Sequence, residues 1–405
     1  MSLRRVLLMF LVLIFFTMGV RMELWAAAPN VEGKAYILID GETGQVLYGK
    51  GIDEKLNPAS TTKILTTIIA LEKGNLQDIV TISKNVPLVE GTKVYLREGE
   101  KIELEKLLHA AMIHSANDAA LAIAEHIGGS QENFAKMMNE KAKGIGANNS
   151  NFINPHGLTA EGHLTTAYDL ALISKYAMEN PKFRELAQEK VYDWEGEEWQ
   201  TRLININRFL WRMDESTGIK PGYTSAARYT LAASAKRDNQ ELIAVILGSS
   251  DARIWDDAKN LLNYGFANFQ SLSLTKIDEV VATIKVADNQ EVNLVPTRSS
   301  SIAVESNGEN NVEKRLVLSD ISLPIEAGKI LGELVISVNG EEKEVIPVKA
   351  LEEVKKPFDW TRAVINGLAA LFVLQIMVRF GRRYLRNKSK SSMFSSSKRV
   401  SPYRY

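Results

Sequence analysis

Apolar and polar residues alternate in two rhythms along this chain, and the change from one to the other outlines its elements. Ala35-Tyr36-Ile37-Leu38-Ile39-Asp40, a Gly-Glu-Thr-Gly turn and Gln45-Val46-Leu47-Tyr48 predict a β-hairpin. Ile64-Leu65-Thr66-Thr67-Ile68-Ile69-Ala70-Leu71 reads as a buried helix, and helical patterns recur over Ile102 to Ile113 and Asp118 to Ile127. Strands return with Tyr229 to Ala235, a Lys236-Arg237-Asp238-Asn239 turn, and Leu242 to Leu247. A hairpin, then helices, then strands predicts a catalytic-sized α/β sandwich over 29–270, with helices packed on a mostly antiparallel sheet. Over 271–350 short alternating strands take over, with turns at Asp288-Asn289, Asn307-Gly308 and Asn339-Gly340, which predicts a small all-β domain of sandwich type.

Two further runs are apolar without alternation. Arg4 and Arg5 precede Val6 to Val20, and Ala26-Ala27-Ala28 supplies small residues for cleavage, so 1–28 reads as a secretory signal peptide. An uncleaved membrane anchor is the competing reading. Ala363 to Val378 is apolar apart from Asn366 and Gln375, which lie nine residues apart and so on opposite sides of a helix, leaving no single polar face. The reading is a membrane-spanning helix over 360–380, against a surface-lying amphipathic one. Arg379, Arg382, Arg383, Arg386, Lys388 and Lys390 follow it, which predicts a cytoplasmic tail over 381–405 and a catalytic part outside the cytoplasmic membrane. Asn387 to Tyr405, rich in Ser, Lys and Arg, is expected to be disordered.

Composition adds two exclusions. The chain has no cysteine, so an exported domain must hold together by packing alone. Its formal net charge is zero and no basic stripe with interleaved aromatics occurs, so no nucleic-acid partner is expected.

The chemistry lies in three short motifs. Ser60 stands three residues before Lys63 in Pro-Ala-Ser-Thr-Thr-Lys, at the start of the predicted buried helix, so the two share a face. Ser115 and Asn117 form Ser-Ala-Asn between two helical patterns, and Lys220-Pro221-Gly222 precedes the second predicted hairpin. A serine hydroxyl is a poor nucleophile until a base takes its proton, and Lys63 can do so only when neutral. Burial beside a second ammonium, Lys220, depresses its pKa and makes that possible. Taken singly, Ser60 is a helix cap, Asn117 a turn former and Lys220 a solvated strand-end charge. Their order is what points to acyl transfer.

With Phe152-Ile153-Asn154-Pro155-His156-Gly157-Leu158 and His163-Leu164-Thr165-Thr166-Ala167-Tyr168-Asp169-Leu170, the pattern resembles the serine D-alanyl-D-alanine carboxypeptidases, low-molecular-mass penicillin-binding proteins. The resemblance implies an α/β (α+β) penicillin-binding/β-lactamase-like transpeptidase fold with a smaller all-β C-terminal domain and a C-terminal membrane helix. It implies removal of the terminal D-alanine from peptidoglycan stem peptides through an acyl-enzyme on Ser60, and acylation by β-lactam antibiotics. It also assigns roles. Ser115 relays a proton to the leaving amine, and Asn117 hydrogen-bonds Lys63 and the substrate peptide. Lys220 supplies positive potential, and backbone N–H groups of Ser60 and Tyr223 form the oxyanion hole. Asn154, His156, Gly157 and His163 are expected to brace the site. No cofactor or metal is expected, since His156 and His163 have no ligand partner at metal spacing and His-Glu-x-x-His is absent.

Two departures stand out. The middle residue of Lys-Thr-Gly or Lys-Ser-Gly is a hydroxyl that binds the substrate carboxylate, and here it is Pro221, which an edge strand tolerates. The arginine that binds the same carboxylate is also displaced: alignment on Leu261 to Phe266 puts Ile254 in its place and Arg253 one position early. These departures keep open a catalytically weakened peptidoglycan-binding protein, which D-alanine release distinguishes. A β-lactamase, faintly indicated by Glu161-Gly162-His163-Leu164-Thr165, is the remaining class, although the carboxypeptidase pattern fits those residues better.

Overall fold

The structure is a computed structural model describing residues 28–250, 253–287, 290–358 and 360–394, the last seven by backbone alone. The predicted signal peptide (but for Ala28), the Asp288-Asn289 turn and the end of the tail lie outside the described residues.

The first hairpin forms as predicted, from β1 (Ala35–Asp40) and β2 (Val46–Lys50). The carboxylate of Asp40 caps its turn by accepting from Thr43 N at 2.8 Å and Thr43 Oγ1 at 2.8 Å. A 3₁₀ turn, Ala59–Thr62, leads into the helix Lys63–Lys73, almost wholly buried through Ala70. A small ribbon of β3 (Ile79–Thr81) and β4 (Lys101–Glu103) takes the first residues of the predicted 102–113 helix, whose helical part begins at Leu104. That helix ends in a single π turn, Ala110–His114, and Ser115 follows in the left-handed region at φ 60°. Helices Asn117–Gly128, Gln131–Ile145, Ala167–Met178 and Pro181–Gln188 complete the helical layer. Ser130, Thr166 and Asn180 cap the last three by accepting backbone N–H bonds.

A second ribbon, β5 (Val191–Glu195) with β6 (Gln200–Ile204), precedes β7 (Ser216–Thr224), β8 (Arg228–Arg237) and β9 (Gln240–Ser249). The main sheet runs β2-β1-β9-β8-β7, each pair antiparallel. Alternation places Ala35, Ile37 and Ile39 in one apolar core under the helical layer, and Tyr36 and Leu38 in a second core beneath the helix Ile254–Asn268. A sheet covered on both faces explains why β1 and β9 read as unbroken apolar runs. The order also makes β7, which carries Lys220, Pro221 and Gly222, an edge strand.

Beyond the helix Ile254–Asn268 come β10 (Phe269–Thr275), β11 (Ala282–Ala287), β12 (Gln290–Pro296), β13 (Ser300–Glu305), β14 (Val312–Leu318), β15 (Ile330–Val338) and β16 (Glu341–Ala350). They form a two-stranded sheet, β10-β13, and a five-stranded one, β11-β12-β16-β15-β14. The chain divides into two compact units, one reaching Ile277 and including Arg298–Arg315 and Val335–Glu344, the other holding the rest. The first unit passes the expected 270/271 boundary because β10 there bonds to β13 some thirty residues on, and the division crosses β14, β15 and β16.

A single helix, Trp360–Phe394, closes the described chain, and its portion Trp360–Asn387 is long and apolar enough to cross a membrane, its most apolar stretch of 18 residues having a mean hydropathy of 1.9. It continues through the basic cluster and past Asn387, where disorder was expected. Arg, Leu, Lys and Met favour helix, and no proline interrupts the segment. Consecutive Leu371, Phe372, Val373 and Leu374 are all exposed, so apolar surface surrounds the helix.

Candidate active site

The turn before the first helix is shaped from outside. Ala59 adopts φ 50°, and the backbone at Gly157 presses so close that a Cβ there would meet Ala59 O at 1.9 Å. Gly222 approaches from the edge strand, where a Cβ would lie 2.6 Å from Ser60 N. Only residues without side chains allow both approaches. Hydroxyls fasten the surroundings: Thr61 Oγ1 and Thr230 Oγ1 both donate to Pro58 O, at 2.7 and 2.9 Å, and Thr66 Oγ1 donates to Pro155 O at 2.6 Å.

Lys63 is completely buried, one turn after Ser60. Its Nζ makes three hydrogen bonds: to Ser60 Oγ at 3.2 Å, Asn117 Oδ1 at 2.7 Å and His156 O at 2.8 Å. Burial drives its pKa well below the ordinary lysine range, the Lys220 ammonium pushes it further, and Asp118 partly opposes both. Lys220 is also fully buried, and burial lowers it to about 7. Among the described residues its Nζ and the buried hydroxyl of Ser115 have no hydrogen-bond partner. Two desolvated, unpaired polar groups near a nucleophile are available to a ligand.

Asn117 ties the second motif to the first. Its Nδ2 donates to Glu90 O at 2.7 Å, and its backbone N donates to Thr92 O at 2.7 Å. The next residue, Asp118, carries an anchoring role that the sequence reading did not assign. Its buried carboxylate accepts from Val94 N at 3.0 Å, Leu96 N at 3.2 Å and Ala119 N at 2.9 Å, holding the loop that walls the cleft. Burial raises its pKa, against the pull of those N–H groups.

The two histidines brace the site. His163 Nδ1 accepts from Ile153 N at 2.9 Å, so its other nitrogen carries the proton and donates to Thr62 Oγ1 at 3.0 Å. His156 Nδ1 accepts from Leu158 N at 3.2 Å while its carbonyl holds Lys63. Burial lowers His163 to about 4, and burial with the nearby Lys63 charge lowers His156 to about 3, so both are neutral at ordinary pH. Asn154 completes the loop, accepting from Gly157 N at 2.7 Å and donating to Leu158 O at 2.8 Å.

These elements enclose a cleft of about 350 Å³ bounded by Ser60, Ser115, Pro221, Gly222 and Tyr223, with Ile206, Arg208 and Trp255 opposite. A larger hollow of about 520 Å³ beside Met137 and Tyr176 is lined by no serine, and its Lys141 is paired with Glu72 at 2.5 Å, so chemistry rather than size identifies the site. Pro221 is buried in β7 opposite Leu231, with no strand on its outer side. Arg253, the expected carboxylate ligand, is not in the cleft wall. It precedes the helix Ile254–Asn268 and approaches Glu32 Oε1 at 3.4 Å, while Ile254 is sunk in the core. The cation that does line the cleft is Arg208, exposed and with no ion-pair partner among the described residues. Its segment is shaped by asparagines: Asn205 Nδ2 donates to Glu189 O at 2.7 Å, and Asn207 Oδ1 accepts from Phe209 N at 3.2 Å.

A family model described as D-alanyl-D-alanine carboxypeptidase matches residues 22–251, and one described as penicillin-binding protein 5, C-terminal domain, matches 269–356. The chain is 37% identical over 336 residues to D-alanyl-D-alanine carboxypeptidase DacF of Bacillus subtilis, covering 80% of this chain and 86% of that one. It is 33% identical over 347 residues to DacC of Escherichia coli, covering 81% and 86%. Among solved structures, penicillin-binding protein 5 from Haemophilus influenzae superposes with a TM-score of 0.71 at 27% identity, covering 82% of this chain and all of that one.

Proposed function

We propose, from the premise that this chain belongs to the D-alanyl-D-alanine carboxypeptidase family, a division of labour among its own residues for that reaction. The chain is a serine-type peptidase of the mixed α/β penicillin-binding fold, with the all-β domain and apolar C-terminal helix that accompany it. Neutral Lys63 takes the Ser60 proton as Oγ attacks the carbonyl between two D-alanines. The developing oxyanion is received by the N–H groups of Ser60 and Tyr223. Ser115, near Lys220, relays the proton that Lys63 took from Ser60 to the departing D-alanine nitrogen, which leaves Lys63 neutral again. Water then attacks the ester on Ser60 as Lys63 takes its proton, and Lys63 returns that proton to the Ser60 oxygen as it leaves. Asn117 holds both Lys63 and the substrate backbone.

Lys63 carries this reading: it is buried, depressed in pKa and bonded to the Ser60 hydroxyl. The natural substrates are the peptidoglycan stem peptides, and β-lactams acylate the same serine. Arg208, rather than Arg253, holds the substrate's terminal carboxylate, because it is the cation in the cleft wall and Pro221 offers no hydroxyl. Fluorescent penicillin should label the purified protein and D-alanine should be released from a D-Ala-D-Ala peptide, both lost in Ser60→Ala with the fold intact. Labelling of that variant would displace Ser60 from the role.

The placement in the cell follows from the two ends. Residues 1–28 serve as the export signal, the catalytic region works on the extracytoplasmic face, and the helix from Trp360 spans the membrane. Its all-round apolar surface and the basic residues beyond Arg379 support this orientation.

A further inference from the structure

The cleft does not end at Arg208. Ile206 and Arg208 also form one wall of a second hollow of about 580 Å³, completed by Ile204, Asn205, Trp211 and Arg212. Its position relative to the scissile bond follows from the backbone. On the proposed catalytic reading the scissile carbonyl sits at Ser60 and Tyr223 N, with the departing nitrogen on the Ser115 side. Ile206 N donates to Ile113 O at 3.1 Å, fastening this segment two residues before Ser115. The hollow therefore continues the cleft on the leaving-group side.

Its surface is unusually apolar for an exposed position. Ile204 is 63% exposed, Trp211 48% and Ile206 39%. Arg212 is already paired with Asp256 at 2.7 Å, and Lys190 Nζ stands 5.9 Å from the Trp211 ring centre. Arg208 is thus left as the cation facing an incoming ligand, at the junction of cleft and hollow. The methyl of a departing D-alanine would leave this shelf unused.

We propose that the hollow is a binding subsite for the residue that leaves, and that it accepts C-terminal D-residues bearing a large apolar side chain. The carboxylate rests on Arg208 and the side chain crosses Ile206 toward Ile204 and Trp211. Continuity with the cleft through two shared residues selects this occupant over a separate partner protein. The inference rests on the proposed catalytic reading, with Arg208 as the carboxylate anchor.

The test uses the full-length protein and matched peptides ending in D-Ala-D-Ala, D-Ala-D-Leu and D-Ala-D-Phe. Burying the larger side chain should raise kcat/KM roughly 10- to 30-fold over D-Ala-D-Ala, mainly through KM. Trp211→Ala and, separately, Ile204→Ser should remove that preference while leaving D-Ala-D-Ala turnover and penicillin labelling unchanged. Equal or lower kcat/KM for the larger residues, or a preference that survives both substitutions, overturns the subsite. Direct binding of the three peptides to Ser60→Ala separates the subsite from the catalytic reading. Tighter binding of the D-Leu and D-Phe peptides upholds the subsite even if hydrolysis fails, and equal binding overturns it.

Discussion

Lys63 Nζ lies closer to Asn117 Oδ1, at 2.7 Å, than to the hydroxyl it would deprotonate, at 3.2 Å. The amide oxygen fixes the nitrogen without adding charge, and the His156 carbonyl does the same from the other side at 2.8 Å. A neutral lysine so held keeps its lone pair for Ser60.

The base must be able to lose its proton. Lys63→Arg retains size and charge but stays protonated, so acylation by penicillin should fall by orders of magnitude. Stopped-flow labelling rates measure this, and a near-wild-type rate would exclude Lys63 as the base.

Asn117→Asp sets a carboxylate where the amide stood. An anion this close favours charged Lys63, so the acid limb of the acylation rate should move upward by about 1–3 pH units. The rate at neutral pH should fall and recover in alkaline buffer. A pH profile that does not move would mean that Asn117 does not control the charge of Lys63.

Arg208→Ala should remove a charge-assisted contact worth about 1.5–3 kcal/mol, lowering kcat/KM for D-Ala-D-Ala peptides roughly 10- to 150-fold. An ester substrate without the terminal carboxylate should be spared. Pro221→Thr supplies a hydroxyl on the opposite wall and should restore part of the loss. Kinetics that follow Arg253→Ala instead would reassign the anchor.

His163 and His156 link fold stability to acid. Their folded-state values, about 4 and about 3, lie below the usual 6.5. The unfolded chain therefore takes up protons that the folded one refuses, and stability falls as pH drops from about 6.5 toward 4. Each histidine should cost about 1.5–2 kcal/mol between pH 7 and pH 5. Urea midpoints should show this slope, and His163→Asn should flatten it. An equal slope in the variant would place the acid sensitivity elsewhere.

Protease added to intact protoplasts should remove the catalytic region and spare an epitope at Tyr405. An epitope cleaved under those conditions would mean that the helix lies on the membrane surface.

Much of this was legible because local pattern and tertiary structure agree. The apolar run of β1 closed by its turn and the apolar run after Lys63 declare their elements, and the three motifs do meet at one cleft. Pro221 is a residue that an edge strand tolerates, and β7 is an edge strand. Arg208 was not legible, since its segment has no period and is shaped by bonds from Asn205 and Asn207 to their surroundings. Asp118 looked like part of a helix start, because its three N–H donors include two from a loop more than twenty residues earlier. The helix beyond Asn387 was missed because composition there speaks for solvation, whereas continuity with the preceding turns favours extending a helix once nucleated.

The three bonds at Lys63 join segments separated by 3, 54 and 93 positions in the chain. Until all have closed, the lysine is an ordinary solvated amine with a pKa near ~10.4, and Ser60 is an ordinary alcohol. The reactive serine is thus a product of folding, so a newly made chain is chemically silent while unfolded and arms itself only where it folds. Covalent penicillin uptake can therefore serve as a clock for the last step of maturation, and should appear with the final tertiary contacts rather than with secondary structure.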